Sequence, residues 1–271
     1  MIPAMIVSTG SATHAGNRRP LNEDSLLAST PVFLVADGMG GHEAGECASA
    51  AVVEQFSRFI GRPDLTLDDV RTALSRARTA VDALSTSGNG RAGTTLSGAV
   101  IASVDGMGYW LTFNIGDSRT YRLAGGELEQ ISVDHSVVQE LIDSGELSIA
   151  DAASDHRRNI ITRAIGAGST GEADYWMFPA ELGDRMLICS DGLSSELDDQ
   201  RIRDILMTEP DPQTAADVLV DEAVRAGGRD NVTVVVADAV LVASKPGRPL
   251  QADDDIDADT RPREAAAGGM R

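Results

Sequence analysis

Five aspartates stand where short apolar runs of this chain begin or end: Asp24, Asp37, Asp117, Asp191 and Asp230. The acids at 37, 117 and 191 directly follow runs typical of buried strands, whereas Asp230 directly precedes such a run. Antiparallel neighbours would bring these four acids to one rim of a sheet. Like charges held that close repel one another unless cations lie between them. An Asp-Gly or Asp-Ser pair taken alone is ordinary turn chemistry, but its recurrence at equivalent positions predicts a metal site.

The candidate ligands are all oxygen atoms, because the backbone carbonyl of Gly38 is the natural addition to the carboxylates. An oxygen-only set favours magnesium or manganese over zinc, copper or haem iron. The histidines have no zinc-binding spacing; they are His14, His42, His135 and His156. Two hard cations that share an aspartate lower the pKa of a water between them and hold a tetrahedral anion for in-line attack. The pattern therefore predicts hydrolysis of a phosphate ester.

A phosphate ester also requires a cation that makes directional hydrogen bonds, and a guanidinium suits this role best. Arg18 and Arg19 both lie shortly before Glu23 and Asp24. Local physics does not choose between the two arginines, and an ordinary surface role remains open for either of them.

The hydrophobic period changes along the chain and predicts alternating groups of helices and strands. We predict helices at 43–60, 66–84, 135–145, 199–207 and 213–226, and strands at 33–37, 95–102, 109–115, 119–123, 175–178, 186–189 and from 232 onwards. Tight turns between the strands of 95–123 indicate an antiparallel meander. The polar stretch 146–158 is typical of a mobile surface segment.

Composition and charge define the class of protein. With 271 residues and 42% hydrophobic content, the chain can bury one substantial core. We expect one domain at 1–245, followed by an acidic, disordered tail at 246–271. The net charge of −19 argues against nucleic acid and anionic lipid as partners.

The lengths of the apolar runs and the positions of the cysteines predict the compartment and the redox state of the protein. No apolar run is long enough to span a bilayer, and the first residues lack the features of a signal peptide, so we expect a cytoplasmic protein. The two cysteines, Cys47 and Cys189, lie far apart in apolar surroundings, which predicts reduced core thiols.

Six blocks of sequence carry a resemblance to a known family. They are residues 19–24, 35–42, 92–95, 114–119, 190–193 and 230–233. Together they resemble the metal-dependent serine/threonine protein phosphatases of type 2C, in their bacterial form. The resemblance covers roughly residues 10–240 in the order of the family. It implies an α+β fold with four layers, α/β/β/α, in which two antiparallel sheets are flanked by helices.

The resemblance also implies a role for each acidic residue. Asp37 matches the aspartate that bridges two manganese or magnesium ions, and Gly38 matches the residue whose carbonyl binds metal. Asp191 and Asp230 match the remaining direct ligands.

Residues around this centre match further roles in the family. Glu23 and Asp24 match acids that hold metal-bound waters, and Asp117 matches an aspartate that binds a third metal together with the Asp191 equivalent. Arg19 falls at the spacing of the phosphate-binding arginine, which decides between it and Arg18.

The sequence departs from the family pattern at three places. Met39 stands where eukaryotic members have a histidine that is proposed to protonate the leaving group; the nearest histidine, His42, is expected to begin a helix. Arg157 follows His156 where a proline is common, beside a flap that influences substrate choice; Arg157 and Arg158 either contact acidic phosphopeptides or are solvated. We also expect the domain to end near residue 245 and to be followed by the short tail, without the membrane anchor of some bacterial relatives.

We predict an active phosphatase that hydrolyses phosphoserine and phosphothreonine on proteins, opposes serine/threonine kinases and works as a monomer. An alternative is a catalytically silent module that binds phosphoproteins, whose signature would be loss of Asp37, Asp191 or Asp230. All three are present. An aspartyl-phosphate mechanism would need an Asp-x-Asp motif, whereas the chain has Asp37 followed by Gly38 and Met39.

Overall fold

Two antiparallel β-sheets form the centre of the molecule in the computed structural model, which describes residues 3–40, 44–86, 92–152, 155–169 and 171–243. The strands are β1 (Met5–His14), β2 (Asp24–Ser29), β3 (Val32–Met39), β4 (Gly93–Thr94), β5 (Leu96–Val104), β6 (Met107–Ile115), β7 (Arg119–Ala124), β8 (Glu127–Gln130), β9 (Ile165–Gly166), β10 (Asp174–Pro179), β11 (Arg185–Cys189) and β12 (Val232–Val242). The helices are α1 (Ala44–Ser57), α2 (Leu67–Thr86), α3 (Val137–Asp143), α4 (Ile149–Ala152), α5 (Asp191–Ser194), α6 (Asp199–Thr208) and α7 (Pro212–Ala226).

The two sheets divide the strands between them. The smaller sheet has the order β1-β12-β11-β7-β8. The larger sheet has the order β10-β6-β5-β3-β4-β9, and β2 also pairs with β3. Helix α7 packs on β1 and β12, whereas α1 packs on β2 and β3. The predicted four-layer α/β/β/α sandwich of the α+β class is confirmed.

Strand β3 shows why the chain forms four layers. Its side chains alternate between two apolar cores, because successive residues of a strand point to opposite faces. Phe33 and Val35 pack between the sheets with residues such as Ile188, whereas Val32 and Leu34 pack beneath the helices α1 and α2. Both faces of the strand are therefore buried, which explains its continuous apolar run.

The predicted helices at 66–84, 199–207 and 213–226 are confirmed as α2, α6 and α7. Two of them begin at an aspartate cap: Asp198 accepts from the Arg201 backbone N–H at 2.8 Å, and Asp211 accepts from the Thr214 N–H at 2.8 Å. Pro212 occupies the first turn of α7, where its missing N–H costs nothing. The helix predicted at 43–60 is α1, although residue 43 lies outside the described residues.

The predicted meander is wrong at its last strand. Strands β5 and β6 pair, but β7 pairs with β11 and β8 in the other sheet. The turn at 116–118 carries the chain between the sheets, and Gly116 has a φ of +103°, which favours glycine. A strand and its turn show that a chain reverses but do not specify which sheet receives the next strand.

Three further expectations concern the surface segment, the C-terminal tail and membrane-spanning helices. Residues 146–158, predicted to be irregular, contain α4, and residues 153–154 lie outside the described residues. The tail predicted at 246–271 also lies outside them, so the boundary near residue 245 stays a prediction. No helix within the described ranges is both long and apolar enough to cross a membrane.

The prediction of a core thiol holds for Cys189 and is wrong for Cys47, which is exposed. Helix α1 buries Ala44, Ala48, Val52 and Phe56, a stripe at four-residue steps that excludes position 47. Both cysteines are free thiols.

Candidate metal centre

The predicted acids come together from both sheets. In the larger sheet, Asp37 lies within β3 and Asp117 lies two residues after the end of β6; in the smaller sheet, Asp191 follows β11 and Asp230 precedes β12. The expectation of a single sheet rim is therefore wrong. The sandwich instead aligns the ends of two sheets, and the acids meet where those ends face each other.

Asp24 and Asp37 are direct neighbours across a strand pair. They are register partners in the β2–β3 ladder. The hydroxyl of Ser190 donates to Asp24 Oδ2 at 2.8 Å, which ties β2 to the residue before Asp191. Burial, together with the charges of Asp191 and Asp230, raises the pKa of Asp24 to about 7 against the opposing effect of the Thr233 and Ser190 hydroxyls.

The pKa values of Asp37 and Asp117 are also raised. Burial, followed by the charges of Asp24, Asp191 and Asp117, raises the pKa of Asp37 well above its usual range. Burial and the Asp191 charge raise the pKa of Asp117 to about 8. Without a cation, these carboxyl groups retain protons near neutral pH that an exposed carboxyl would lose.

Asp191 links the two sheets electrostatically. Burial, followed by the charge of Asp230, raises its pKa to about 6, and the nearby side chain of Asp37 acts in the opposite direction. A cation between these carboxylates would remove their repulsion, so the donor set fits a hard divalent metal.

Two orphaned oxygens support the same conclusion. Glu23 Oε1 and Asp24 Oδ1 are buried, and neither has a hydrogen-bond partner among the residues that the structure describes. An unsatisfied buried polar atom costs about 1–3 kcal/mol, and ions or their water ligands are the usual partners in such a place. Within the described ranges no three carboxylate, imidazole or thiol groups already stand at coordinating distances. The acids thus lie close enough to repel one another but need a cation to draw them together.

The geometry around Asp191 depends on a glycine. A Cβ at Gly192 would lie 1.9 Å from the carbonyl oxygen of Asn231, so only glycine allows α5 to begin against the start of β12. This close approach brings Asp191 beside Asp230, whose Oδ1 accepts from the Asn231 backbone N–H at 2.9 Å. Gly38 is similarly constrained, because its Cβ would lie 2.3 Å from the Gly45 carbonyl oxygen.

Arg19 lies at the edge of the centre. Its Nη2 is 2.6 Å from Asp230 Oδ2, and its side chain is 53% exposed. The hydrogen bond and the charge of Asp230 raise the pKa of Arg19. The guanidinium is therefore held at the acids while part of it faces solvent, where a phosphate can reach it.

Sequence reasoning assigned no role to Asn231, which holds the segment that carries Arg19 and Glu23. Its Nδ2 donates to the carbonyls of Ala15 at 3.0 Å and Leu21 at 2.9 Å, and its Oδ1 accepts from the Glu23 N–H at 2.8 Å. The only signal in the sequence is an asparagine beside an aspartate at the start of a strand. Because its partners are more than two hundred residues away, that signal does not identify them.

Two of the three departures from the family pattern can be compared with the structure. Met39 ends β3, beside Gly93 of β4, and His42 lies outside the described residues. The Arg157 guanidinium is bound by Asp155 through contacts of 2.8 and 2.9 Å, which leaves it less available to a peptide. Arg158 lines a cavity of about 640 Å³ that also borders Asp117 and Asp191.

Comparison with known proteins gives consistent matches. The family model described as Protein phosphatase 2C matches residues 13–221. The chain is 35% identical to Serine/threonine phosphatase stp of Listeria welshimeri over 243 residues, which is 85% of this chain and 95% of that protein. It is 37% identical to Serine/threonine protein phosphatase PstP of Mycobacterium tuberculosis over 253 residues, 87% of this chain but 46% of that longer protein.

Solved structures agree with these matches. The crystal structure of the M. tuberculosis phosphatase PstP/Ppp superposes with a TM-score of 0.80 at 36% identity, covering 86% of this chain and 98% of that one. The catalytic domain of PstP in complex with two manganese ions has a TM-score of 0.79 at 34% identity, covering 88% of this chain and all of that one.

Proposed function

This chain belongs to the bacterial protein phosphatase 2C family of serine/threonine protein phosphatases, and we propose that it hydrolyses phosphoserine and phosphothreonine on proteins at a manganese or magnesium centre. The observation that carries the proposal is the convergence of buried acids with raised pKa values around oxygens of Glu23 and Asp24 that have no partner among the described residues. The manganese pair bound by the PstP catalytic domain supports it.

Each acid has a proposed part in holding the cations. Asp37, the Gly38 carbonyl, Asp191 and Asp230 would bind two ions directly, and Glu23 and Asp24 would hold their water ligands. Asp117 and Asp191 would hold a third ion. Such ions, when bound, supply a nucleophilic water at neutral pH and neutralise charge on the phosphate, so that no covalent phosphoenzyme is needed.

The chain itself orients the phosphate and handles the leaving group. Arg19 would donate two parallel hydrogen bonds to phosphate oxygens, exchanging part of its contact with Asp230. Met39 has no proton to donate, so we propose that the leaving alkoxide takes its proton from water.

The first experiment measures phosphate release from a phosphothreonine peptide, with manganese and with a chelator. We expect turnover only with manganese, and a loss in Asp230→Asn of at least the roughly 100-fold that one lost electrostatic contact costs in a transition state. A folded wild type that binds manganese yet releases no phosphate would instead establish the catalytically silent phosphoprotein-binding module.

Arg19 provides a second prediction, because charge-assisted hydrogen bonds contribute about 1.5–3 kcal/mol. We expect Arg19→Ala to lower kcat/KM by about 10- to 150-fold for both a peptide and a small phosphate ester. Arg19→Lys should fall between Ala and wild type, because lysine keeps the charge without the planar fork.

Arg18→Ala is the matched control, since Arg18 is also exposed and precedes Arg19 directly. It should leave kcat/KM within about twofold of wild type, as expected for a solvated surface charge. An equal loss in the two alanine variants would refute the assignment of phosphate binding to Arg19.

We further propose that the substrates are proteins phosphorylated by serine/threonine kinases, that the enzyme is monomeric, and that it works in the cytoplasm, where kinases have access to ATP. The net charge of −19 supports protein substrates over nucleic acid. Depleting the protein from cells should raise the occupancy of phosphoserine and phosphothreonine sites while phosphotyrosine stays constant.

A further inference from the structure

His135 is a buried histidine that the proposed mechanism does not use. Its side chain is 5% exposed, and it contacts the turn that carries Asp117. The Gly116 N–H donates to His135 Nδ1 at 3.2 Å, and the His135 backbone N–H donates to the Gly116 carbonyl at 2.8 Å. One residue therefore binds both backbone polar groups of the residue that precedes Asp117.

The turn is restrained from other sides as well. Asn114 Nδ2 donates to the same Gly116 carbonyl at 3.0 Å. A Cβ at Gly116 would lie 2.6 Å from Thr95 Cγ2, so Thr95, which lies between β4 and β5, packs closely against the turn. These contacts to Gly116 thus set the direction in which the chain leaves the turn at Asp117.

The ring of His135 has a defined tautomer. Because Nδ1 accepts from Gly116, the proton of the neutral ring resides on Nε2, which donates to Asp174 Oδ2 at 3.1 Å. Arg163 Nη1 also lies 3.1 Å from Nε2, but it has an acceptor in Asp174 Oδ1 at 3.1 Å. Asp174 itself is fixed in β10, opposite Asn114 of β6.

His135 also contacts the segment at 160–162, which follows α4. Its carbonyl accepts from the Thr162 N–H at 2.8 Å, and the Val137 N–H donates to the Ile160 carbonyl at 2.9 Å. Helices α3 and α4 lie between residues 137 and 160 in the sequence, and residues of both helices line the cavity of about 640 Å³ beside the acids. The same residue therefore joins the Asp117 turn to one wall of that cavity.

We propose that His135 is the positioning residue for Asp117, and that its ring, anchored by Asp174, fixes the direction in which the Asp117 carboxylate approaches a metal ion. The inference rests on the proposed function, because it concerns the cation that Asp117 would hold. Partners that orient a ligand in this way typically contribute 10- to 100-fold to metal affinity.

The test measures manganese binding without substrate, by electron paramagnetic resonance of the free ion. The Asp117-dependent site is defined as the difference between wild type and Asp117→Asn. His135→Gln loses the acceptor at the position of Nδ1 and should weaken that site by about 10- to 100-fold. His135→Asn retains an oxygen near that position and should weaken it less.

A double variant separates positioning from general damage. If His135 acts through Asp117, adding His135→Gln to Asp117→Asn should cause no further loss of manganese binding, because the two changes share one pathway. Val220→Ala in α7, a buried position away from the acids, is the control for a loss of stability alone and should bind manganese as wild type does.

Two outcomes would overturn this inference but leave the proposed function intact. One is an active wild type whose manganese affinities are unchanged in His135→Gln, and the other is additive losses of manganese binding in the double variant. A wild type that neither binds manganese nor releases phosphate would overturn the proposed function, and this inference with it.

Discussion

Replacing Asp37 with asparagine is expected to reduce phosphate release by more than about a thousandfold, beyond the roughly 10²- to 10³-fold cost of losing one transition-state hydrogen-bond donor. The reason is that Asp37 lies at the meeting point of the cluster, where its charge interacts with Asp24, Asp117, Asp191 and Asp230. An asparagine keeps the shape of the side chain but cannot bridge two cations. The measurement is kcat/KM on a phosphothreonine peptide with saturating manganese.

The same substitution should make the metal-free protein more stable. Burial and neighbouring charges raise the pKa of Asp37 well above its usual range, so its ionised form is unfavourable in the fold without a cation. At neutral pH the aspartate is ionised in the unfolded chain and must take up a proton on folding, whereas an asparagine is neutral in both states and keeps a polar group in its place. The free energy of unfolding, measured with urea after the metal is removed, should therefore rise while activity falls.

Asp68→Asn is the matched control, because Asp68 is 93% exposed on α2. It should change neither activity nor stability appreciably. If Asp37→Asn retained a tenth of wild-type turnover, Asp37 would not be the bridging ligand that we propose.

The second large effect is a loss of stability of the metal-free protein as the pH rises. The folded-state pKa values of Asp24, Asp117 and Asp191 are raised to about 7, 8 and 6, whereas an unfolded aspartate titrates near 3.9. Between these limits the folded state binds more protons than the unfolded state. The stability from this source is therefore fully present below about pH 4 and is lost as the pH rises through about 6–8.

Each unit of pKa difference corresponds to about 1.4 kcal/mol, so a shift of a few units in one of these interacting groups corresponds to a loss on the order of several kcal/mol. Urea unfolding of demetallated protein at a series of pH values from about 4.5 to 8.5 measures it. Manganese should restore stability at the upper end of the series, because it binds the ionised carboxylates of the folded state. A metal-free stability that rises with pH across this window would show that the acids are not held together as the structure has them.

Local features of the sequence determined much of what the structure contains. Apolar runs such as 33–36 and 186–189 predicted the strands that deliver Asp37 and Asp191, because a strand buried on both faces has no polar alternation. Helices α6 and α7 were predicted from their period, and aspartate caps precede both. The motif blocks extended this local information to the family, to its four-layer fold and to the roles expected of Asp37, Asp191 and Asp230.

Contacts between distant residues were decided only by the tertiary structure. The strand β7 was assigned to the wrong sheet, and the acids to one rim, because a turn specifies reversal but not the partner that a strand will find. Asn231 and His135 show the same limit at the level of side chains. The partners of Asn231 lie more than two hundred residues away, and those of His135 belong to three separate segments.

Charge provides the last contrast. The sequence by itself determined that many acids are present and which of them end strands, since both are properties of neighbouring residues. Whether they repel, share protons or need a cation depends on burial and on distances of a few ångströms between two sheets. The burial of the acids and the distances between them are set only when the two sheets pack together, because that packing removes the water that would otherwise screen the charges.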